Sequence, residues 1–220
     1  MKYFLRLLTL LLFPLSLTAQ VPEAVDLGLS VKWASFNLGA SKPEDAGSYF
    51  AWGETEPKEV YNWLTYRLCE GSEKSFTKYV PMSKAYKNGA NGFYDDKSTL
   101  ELCDDAAAVA LHDKWRTPTL AEWQELYDEC VWVWAPLNGV NGYKISNKSD
   151  ATKWIFLPAA DSRFGDSPFA SAGWGHYWSS TRRNERAISA YDCRFTKGRI
   201  GIGRSVERCY GYSVRPVCDR

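Results

Sequence analysis

Histidine is scarce in this chain of 220 residues, which has only His112 and His176. Neither belongs to a His-Glu-x-x-His pair, so a zinc-protease helix is excluded. No serine stands in the glycine elbow that exposes a nucleophile. Gly198, Gly201 and Gly203 do not have the spacing of a dinucleotide-binding loop and are better suited to easing a bent strand. No two cysteines are spaced Cys-x-x-Cys, which removes zinc-ribbon and thioredoxin-like chemistry. An excess of one charge is also lacking, since the formal net charge is +1. Charge as a whole therefore selects no partner.

What the chain does have begins at its N-terminus. Lys2 and Arg6 flank the start of an apolar run from Leu7 through Leu17, and small residues follow at Thr18 and Ala19. This is the pattern of a signal peptide, residues 1–19, with cleavage after Ala19. Pro14 interrupts the run, which is shorter than the ~20 residues of a bilayer-spanning helix. The expectation is an exported protein, periplasmic, cell-surface or extracellular, whose residues 20–220 form a single domain without a membrane span.

Removing Lys2 and Arg6 leaves 25 of the 27 basic residues against 26 acidic ones. The balance is local rather than uniform. From Arg182 to Arg220 there are ten basic and four acidic residues, a composition suited to an anionic ligand. Export argues against nucleic acid as that ligand. It also permits disulfides, and the six cysteines allow fifteen full pairings. The expected set is Cys130 with Cys218, Cys193 with Cys209, and Cys69 with Cys103.

The segment Trp115–Cys130 carries the clearest local signals. Thr119 and Glu122 form a capping box, and Leu120, Trp123, Leu126, Tyr127 and Cys130 recur at helical steps of three and four. A second, short Ala-rich helix is predicted over Asp104–Leu111. Short strands are predicted at Val25–Leu27, Val31–Phe36, Gly47–Glu54, Val131–Trp134, Tyr143–Ile145, Trp154–Leu157 and Tyr177–Thr181. Three more follow at Ala187–Phe195, Arg199–Arg204 and Tyr210–Val217. Asn138-Gly139 and Asn141-Gly142 supply hairpin-turn chemistry between two of them. Residues 55–100 show no sustained period and read as a long loop region with fragments of structure. The class is α+β: a mostly antiparallel, twisted sheet with one or two helices on one side.

Several stretches together carry a resemblance: Val25-Asp-Leu-Gly-Leu-Ser-Val-Lys-Trp-Ala34, Tyr49-Phe-Ala-Trp-Gly-Glu54, Trp115-Arg-Thr-Pro-Thr-Leu-Ala-Glu-Trp123, Asn138-Gly-Val-Asn-Gly-Tyr143, Ile155-Phe-Leu-Pro-Ala-Ala160, Tyr177-Trp-Ser-Ser180 and Ser213-Val-Arg-Pro-Val217. In that order, across nearly all of residues 20–220, they resemble the Fibrobacter succinogenes major paralogous domain of exported Bacteroidetes proteins. That family is similar in turn to the formylglycine-generating variant of the C-type lectin fold. The resemblance implies a C-type-lectin-like domain whose N- and C-terminal strands pair. Formylglycine-generating relatives use two close cysteines near the C-terminus, with copper. Cys209 and Cys218 lie in the corresponding region but are separated by eight residues, a departure that argues against catalysis.

The remaining chemistry points to a surface. Arg182, Arg183, Asn184, Arg186, Tyr191, Arg194, Arg199, Arg204, Arg208 and Tyr210 crowd the C-terminal strands, and Arg and Tyr dominate recognition hot spots. The expected function is a non-catalytic binding module for an extracellular or envelope protein or glycan. The alternatives are a formylglycine-generating-like oxidase and a structural envelope protein. No cofactor is expected. Calcium is the ion that the carboxylate pairs Asp95-Asp96 and Asp104-Asp105 would suit, although neither lies in an EF-hand pattern and the Glu-Pro-Asn signature of sugar-binding lectins is missing.

Overall fold

The computed structural model describes residues 20–112, 114–168 and 173–220. The expected signal peptide lies outside the described residues. Among the described residues, no helix is long and apolar enough to cross a membrane.

The chain starts with β1 (Ala24–Val25) and β2 (Val31–Ala34), then β3 (Tyr49–Phe50). Gly28, at φ +79°, lets the chain reverse between the first two. After the long segment to residue 105 come α1 (Ala106–Leu111), β4 (Trp115–Arg116) and α2 (Leu120–Glu129). Asp105 caps α1 by accepting from the backbone N–H of Ala107 at 2.9 Å and Ala108 at 3.3 Å, and its other oxygen accepts from Thr117 N at 2.8 Å. That one buried carboxylate ties the first helix to the entry of the second.

The capping box of α2 forms as its sequence requires. Thr119 Oγ1 accepts from Glu122 N at 3.3 Å, and Glu122 Oε2 accepts from Thr119 N at 2.7 Å. Trp123 and Leu126 are fully buried, each stabilising the fold by about 2–3 kcal/mol through the apolar surface removed from water. The Trp123 ring lies 4.8 Å from Trp33, and its Nε1 donates to Trp178 O at 3.1 Å. The apolar stripe is narrower than the heptad spacing suggests, because Tyr127 is exposed.

Then follow β5 (Cys130–Leu137), β6 (Val140–Asn147) and β7 (Trp154–Pro158) as a three-stranded antiparallel sheet. Asn138 and Gly139 form the turn of the first hairpin, with φ of +48° and +86°. The second Asn-Gly, at 141–142, lies within β6 instead. A small hairpin, β8 (Arg163–Phe164) and β9 (Ser167–Pro168), precedes the long strands β10 (Gly175–Arg182), β11 (Ser189–Thr196) and β12 (Arg199–Glu207). The chain ends with β13 (Tyr212–Ser213) and β14 (Val217–Asp219). One sheet runs β12-β11-β10-β13-β3 and another β1-β2-β14-β4. Among the described residues every strand pair is antiparallel except β10 with β13, so the chain is α+β and mostly antiparallel.

The first and last strands share a sheet, with Val217 opposite Trp33 and Cys218 opposite Lys32. The expected strand over 210–217 is broken in two because Arg215 and Pro216 carry the chain from one sheet to the other. Arg215 is itself fully buried, donating to Asn37 Oδ1 at 2.8 Å, Ala34 O at 3.0 Å and Phe156 O at 2.7 Å. These bonds fasten the crossing point to β2 and β7.

Three apolar clusters hold these layers. The first combines α2, β2, the β5–β7 sheet and the inner face of β10–β11. The second gathers α1 with Trp52, Trp178 and Tyr212. The third, around Tyr61, Tyr66, Phe76, Val80 and Cys209, organises the segment expected to be a long loop. Little regular structure forms there, yet its aromatic residues build a core of their own.

The three expected disulfides are not formed, and all six cysteines are free thiols. Their placement explains this. Cys130 and Cys193 belong to the first cluster, Cys218 to the second, and Cys209 to the third with Cys69 at its edge. Cys103 is exposed beside Lys78. The pairs Cys130 with Cys218 and Cys193 with Cys209 therefore each span two clusters, and Cys103, the expected partner of Cys69, belongs to none.

Candidate functional site

The site is built on β11 and β12, with Trp174 just before β10 and Arg183 just after it. Cross-strand register sets His176 opposite Arg194, Trp178 opposite Asp192, and Asp192 opposite Arg204. Between Arg204 and Ile202 the ladder slips, because Gly203 at φ +69° is the extra residue of a β-bulge. Gly201 sits opposite Arg194, and a Cβ there would come 3.0 Å from Arg204 Cγ and 3.8 Å from Arg194 Cγ. The missing side chain makes space for both arginines to lie across the strand.

Two adjoining hollows result. One, of about 460 Å³, is lined by Arg183, Tyr191, Arg194, Gly203, Arg204 and Ser205. The other, of about 390 Å³, is lined by Trp174, Arg194, Arg199, Ile200, Gly201 and Arg204. Arg194 and Arg204 line both, so they form one cleft with two halves. A wider groove of about 1050 Å³ lies elsewhere, between residues 38–57 and the end of α1, and arginine and lysine are missing from its lining.

The floor is electrostatically uneven. Arg194 Nε donates to Asp192 Oδ2 at 2.9 Å, and the buried Nη2 lies 2.7 Å from the same oxygen as an ion-pair contact. Asp192 is wholly shielded from solvent, and its Oδ1 has no partner among the described residues. Burial pushes its carboxyl up to about 6, against the opposing pull of Arg194 and Arg204. Opposite Arg194, burial first and the Arg194 charge second hold His176 down to about 4, so the ring is neutral at pH 7, and among the described residues neither nitrogen has a partner. That ring stacks on Trp174 at 5.9 Å and leans on Tyr212 at 4.8 Å. Arg183 donates to Ser205 Oγ at 2.9 Å, whereas Arg199 and Arg204 are exposed and make no ion pair among the described residues. Four guanidiniums thus border one cleft, and the Asp192 carboxylate lies buried beneath it.

Half of the residues expected on the binding surface meet there: Arg183, Tyr191, Arg194, Arg199 and Arg204. The other half do not. Arg208 is fully buried, with its guanidinium 4.1 Å from the Phe76 ring, 5.3 Å from Trp52 and 5.5 Å from Tyr66. It donates to Lys78 O at 3.2 Å and Tyr79 O at 3.3 Å, so it is the strut of the third cluster, not a ligand contact. Arg182 is buried too and donates to Lys97 O at 3.0 Å. Arg186 lies over the Tyr86 ring, Asn184 occupies the turn after β10, and Tyr210 stacks on Phe164 at 4.5 Å. Sequence reading missed Trp174, Asp192 and Ser205 as members of the site. Alternation gives a signal for two of them, since Trp174 shares a face with His176 and Asp192 with Arg194.

The carboxylates considered for calcium have other partners. Asp95 accepts from Tyr79 N at 2.9 Å and Val80 N at 2.8 Å, and Asp105 is the cap of α1. Glu101, Cys103 and Asp104 converge, but Lys78 Nζ lies among them, 2.7 Å from Glu101 Oε2 and in contact with Asp104. The ammonium supplies the positive charge that a metal would bring. Cys209 and Cys218 stand in different clusters, and burial pushes both thiols up, Cys209 to about 12, which disfavours the thiolate that oxidase chemistry needs.

No family model matches the chain, and no curated protein or solved structure is significantly similar to it.

Proposed function

We propose that this chain is an exported, non-catalytic binding module of C-type-lectin-like fold that recognises a protein or glycan through its C-terminal strands. The pairing of the last strand with β2 supports that fold. One observation carries the function: Arg183, Arg194, Arg199 and Arg204 border a two-part cleft, and among the described residues its lining holds no carboxylate, the buried Asp192 pairing with Arg194 from beneath. Holding Arg183, Arg199 and Arg204 close to one another, with the one buried carboxylate beneath already paired to Arg194, costs stability, and an anionic ligand offsets that cost. The oxidase alternative has less support, given the buried thiols, and a purely structural envelope role gives no reason for the cleft.

The test is capture on an array of glycans and envelope proteins by residues 20–220, compared with the double variant Arg199→Ala, Arg204→Ala, which spares the bond of Arg194 to the buried Asp192. The reading predicts that capture is lost while the thermal melt of the variant stays within a few degrees of the parent. Equal capture by both proteins would remove the cleft from consideration.

A further inference from the structure

The division of the cleft says more about its ligand, on the footing that the cleft is the binding site. Arg183 belongs to one hollow and Arg199 to the other, while Arg194 and Arg204 stand between and line both. Each hollow therefore has an arginine of its own and a share in two common ones. A single small anion would engage one hollow and leave the far arginine idle. Two anions carried on successive units of one chain would engage all four. Guanidinium groups are suited to this because they bind carboxylate and sulfate through paired N–H donors.

The walls distinguish what lies between those anions. Trp174 and Ile200 line the second hollow, and Trp174 is backed by the neutral His176 ring stacked at 5.9 Å. Tyr191 stands in the first. A flat, partly apolar wall next to a guanidinium fits a sugar ring, which offers one apolar C–H face and polar edges. Gly201 keeps the floor open between the halves, as a Cβ there would meet Arg204 at 3.0 Å. The volumes, about 460 and 390 Å³, leave room for one sugar ring in each half.

We infer that the cleft takes two successive acidic sugars of a polysaccharide, uronate or sulfated, one ring in each half, with Arg194 and Arg204 shared between their anionic groups. Neutral glycans and acidic peptides are the competing occupants. A neutral glycan would bring no charge to Arg183, Arg199 and Arg204, and an extended peptide would not use the Trp174 wall.

The experiment titrates residues 20–220 with tetragalacturonate, a chondroitin sulfate tetrasaccharide, galacturonate monomer, neutral galactotetraose and tetraglutamate. At least one acidic tetrasaccharide should bind ten times or more tighter than the monomer, and should weaken as salt is raised. Galactotetraose should not bind, and tetraglutamate should be at least tenfold weaker. Arg204→Ala should weaken the acidic sugar about tenfold, and Trp174→Ala should weaken the sugar while leaving tetraglutamate unchanged. Failure of both acidic tetrasaccharides, equal binding of galactotetraose, or equal binding of tetraglutamate would overturn the inference. If the array still shows capture that depends on the arginines, the binding reading stands without it; if the array shows none, both fall.

Discussion

Arg194 donates its Nε to a carboxylate, Asp192 Oδ2, that has no exposure to water at all. The pair joins the sheet interior to the cleft, because Arg194 also lines both hollows. Asp192 faces Arg194 on its own strand, Arg204 on the next, and Tyr212 and Trp178 from the other side, with His176 opposite Arg194. With its carboxyl raised to about 6, Asp192 is ionised above that pH and neutral below it. The cleft therefore gains one positive charge as pH falls from 7 to 5. Affinity for an acidic probe is expected to rise several-fold over that interval, as read by titration at fixed salt. In Asp192→Asn this rise should vanish.

The same two groups make opposing contributions to folding. Asp192, raised above its ordinary value of 3.8 to about 6, contributes stability at low pH that is lost as pH rises toward 6. His176, lowered from 6.5 to about 4, contributes stability at neutral pH that is lost as pH falls toward 4. Each effect is on the order of 3 kcal/mol, so they nearly cancel between pH 4 and 6. His176→Phe keeps a ring and removes two unpartnered nitrogens. Relative to the parent, that variant should become more stable on acidification from pH 6 to 4, by melts in matched buffers. An identical pH profile would contradict this assignment.

Gly203 and Gly201 separate backbone from space. Gly203 has φ +69°, while an added Cβ would meet only Leu120, at 3.5 Å. Gly203→Ala should therefore cost about 1–2 kcal/mol from the backbone alone and weaken capture by shifting Arg204. Gly201 has no such conformational demand, so Gly201→Leu should fill the cleft and abolish capture with little change in the melt.

Arg208 sits among Phe76, Trp52 and Tyr66 with two carbonyls as acceptors. Arg208→Ala leaves a cavity and unpaired buried carbonyls, at a cost of about 3 kcal/mol or more. Limited proteolysis should then cut between residues 61 and 80 well before it cuts the β5–β7 sheet.

Thiol reactivity follows burial. Cys103 is exposed and Cys69 half-buried, while the other four cysteines are buried. A native titration should show one fast thiol and one slower one, with all six reacting in denaturant.

The elements with local causes were legible. Thr119 and Glu122 announce their helix three residues apart, and Asn138-Gly139 announces its turn. The bend expected from the glycines of β12 appears as the bulge at Gly203. What was not legible depends on partners far along the chain. Arg208 reads as a surface arginine next to Tyr210, and only the folded chain brings Lys78, 130 residues earlier, to its guanidinium. The cysteine pairings failed for the same reason: spacing says nothing about which cluster a thiol enters. The cleft itself was half visible, since five of its arginines and tyrosines could be named but not the tryptophan wall or the carboxylate beneath.

The most direct test of the central claim is a hydrogen-exchange footprint of residues 20–220 with a captured ligand at saturation. The account predicts slowed exchange in β11 and β12, over 189–207, and near Trp174. Protection confined to the groove between residues 38–57 and the end of α1, with β12 unchanged, would contradict it.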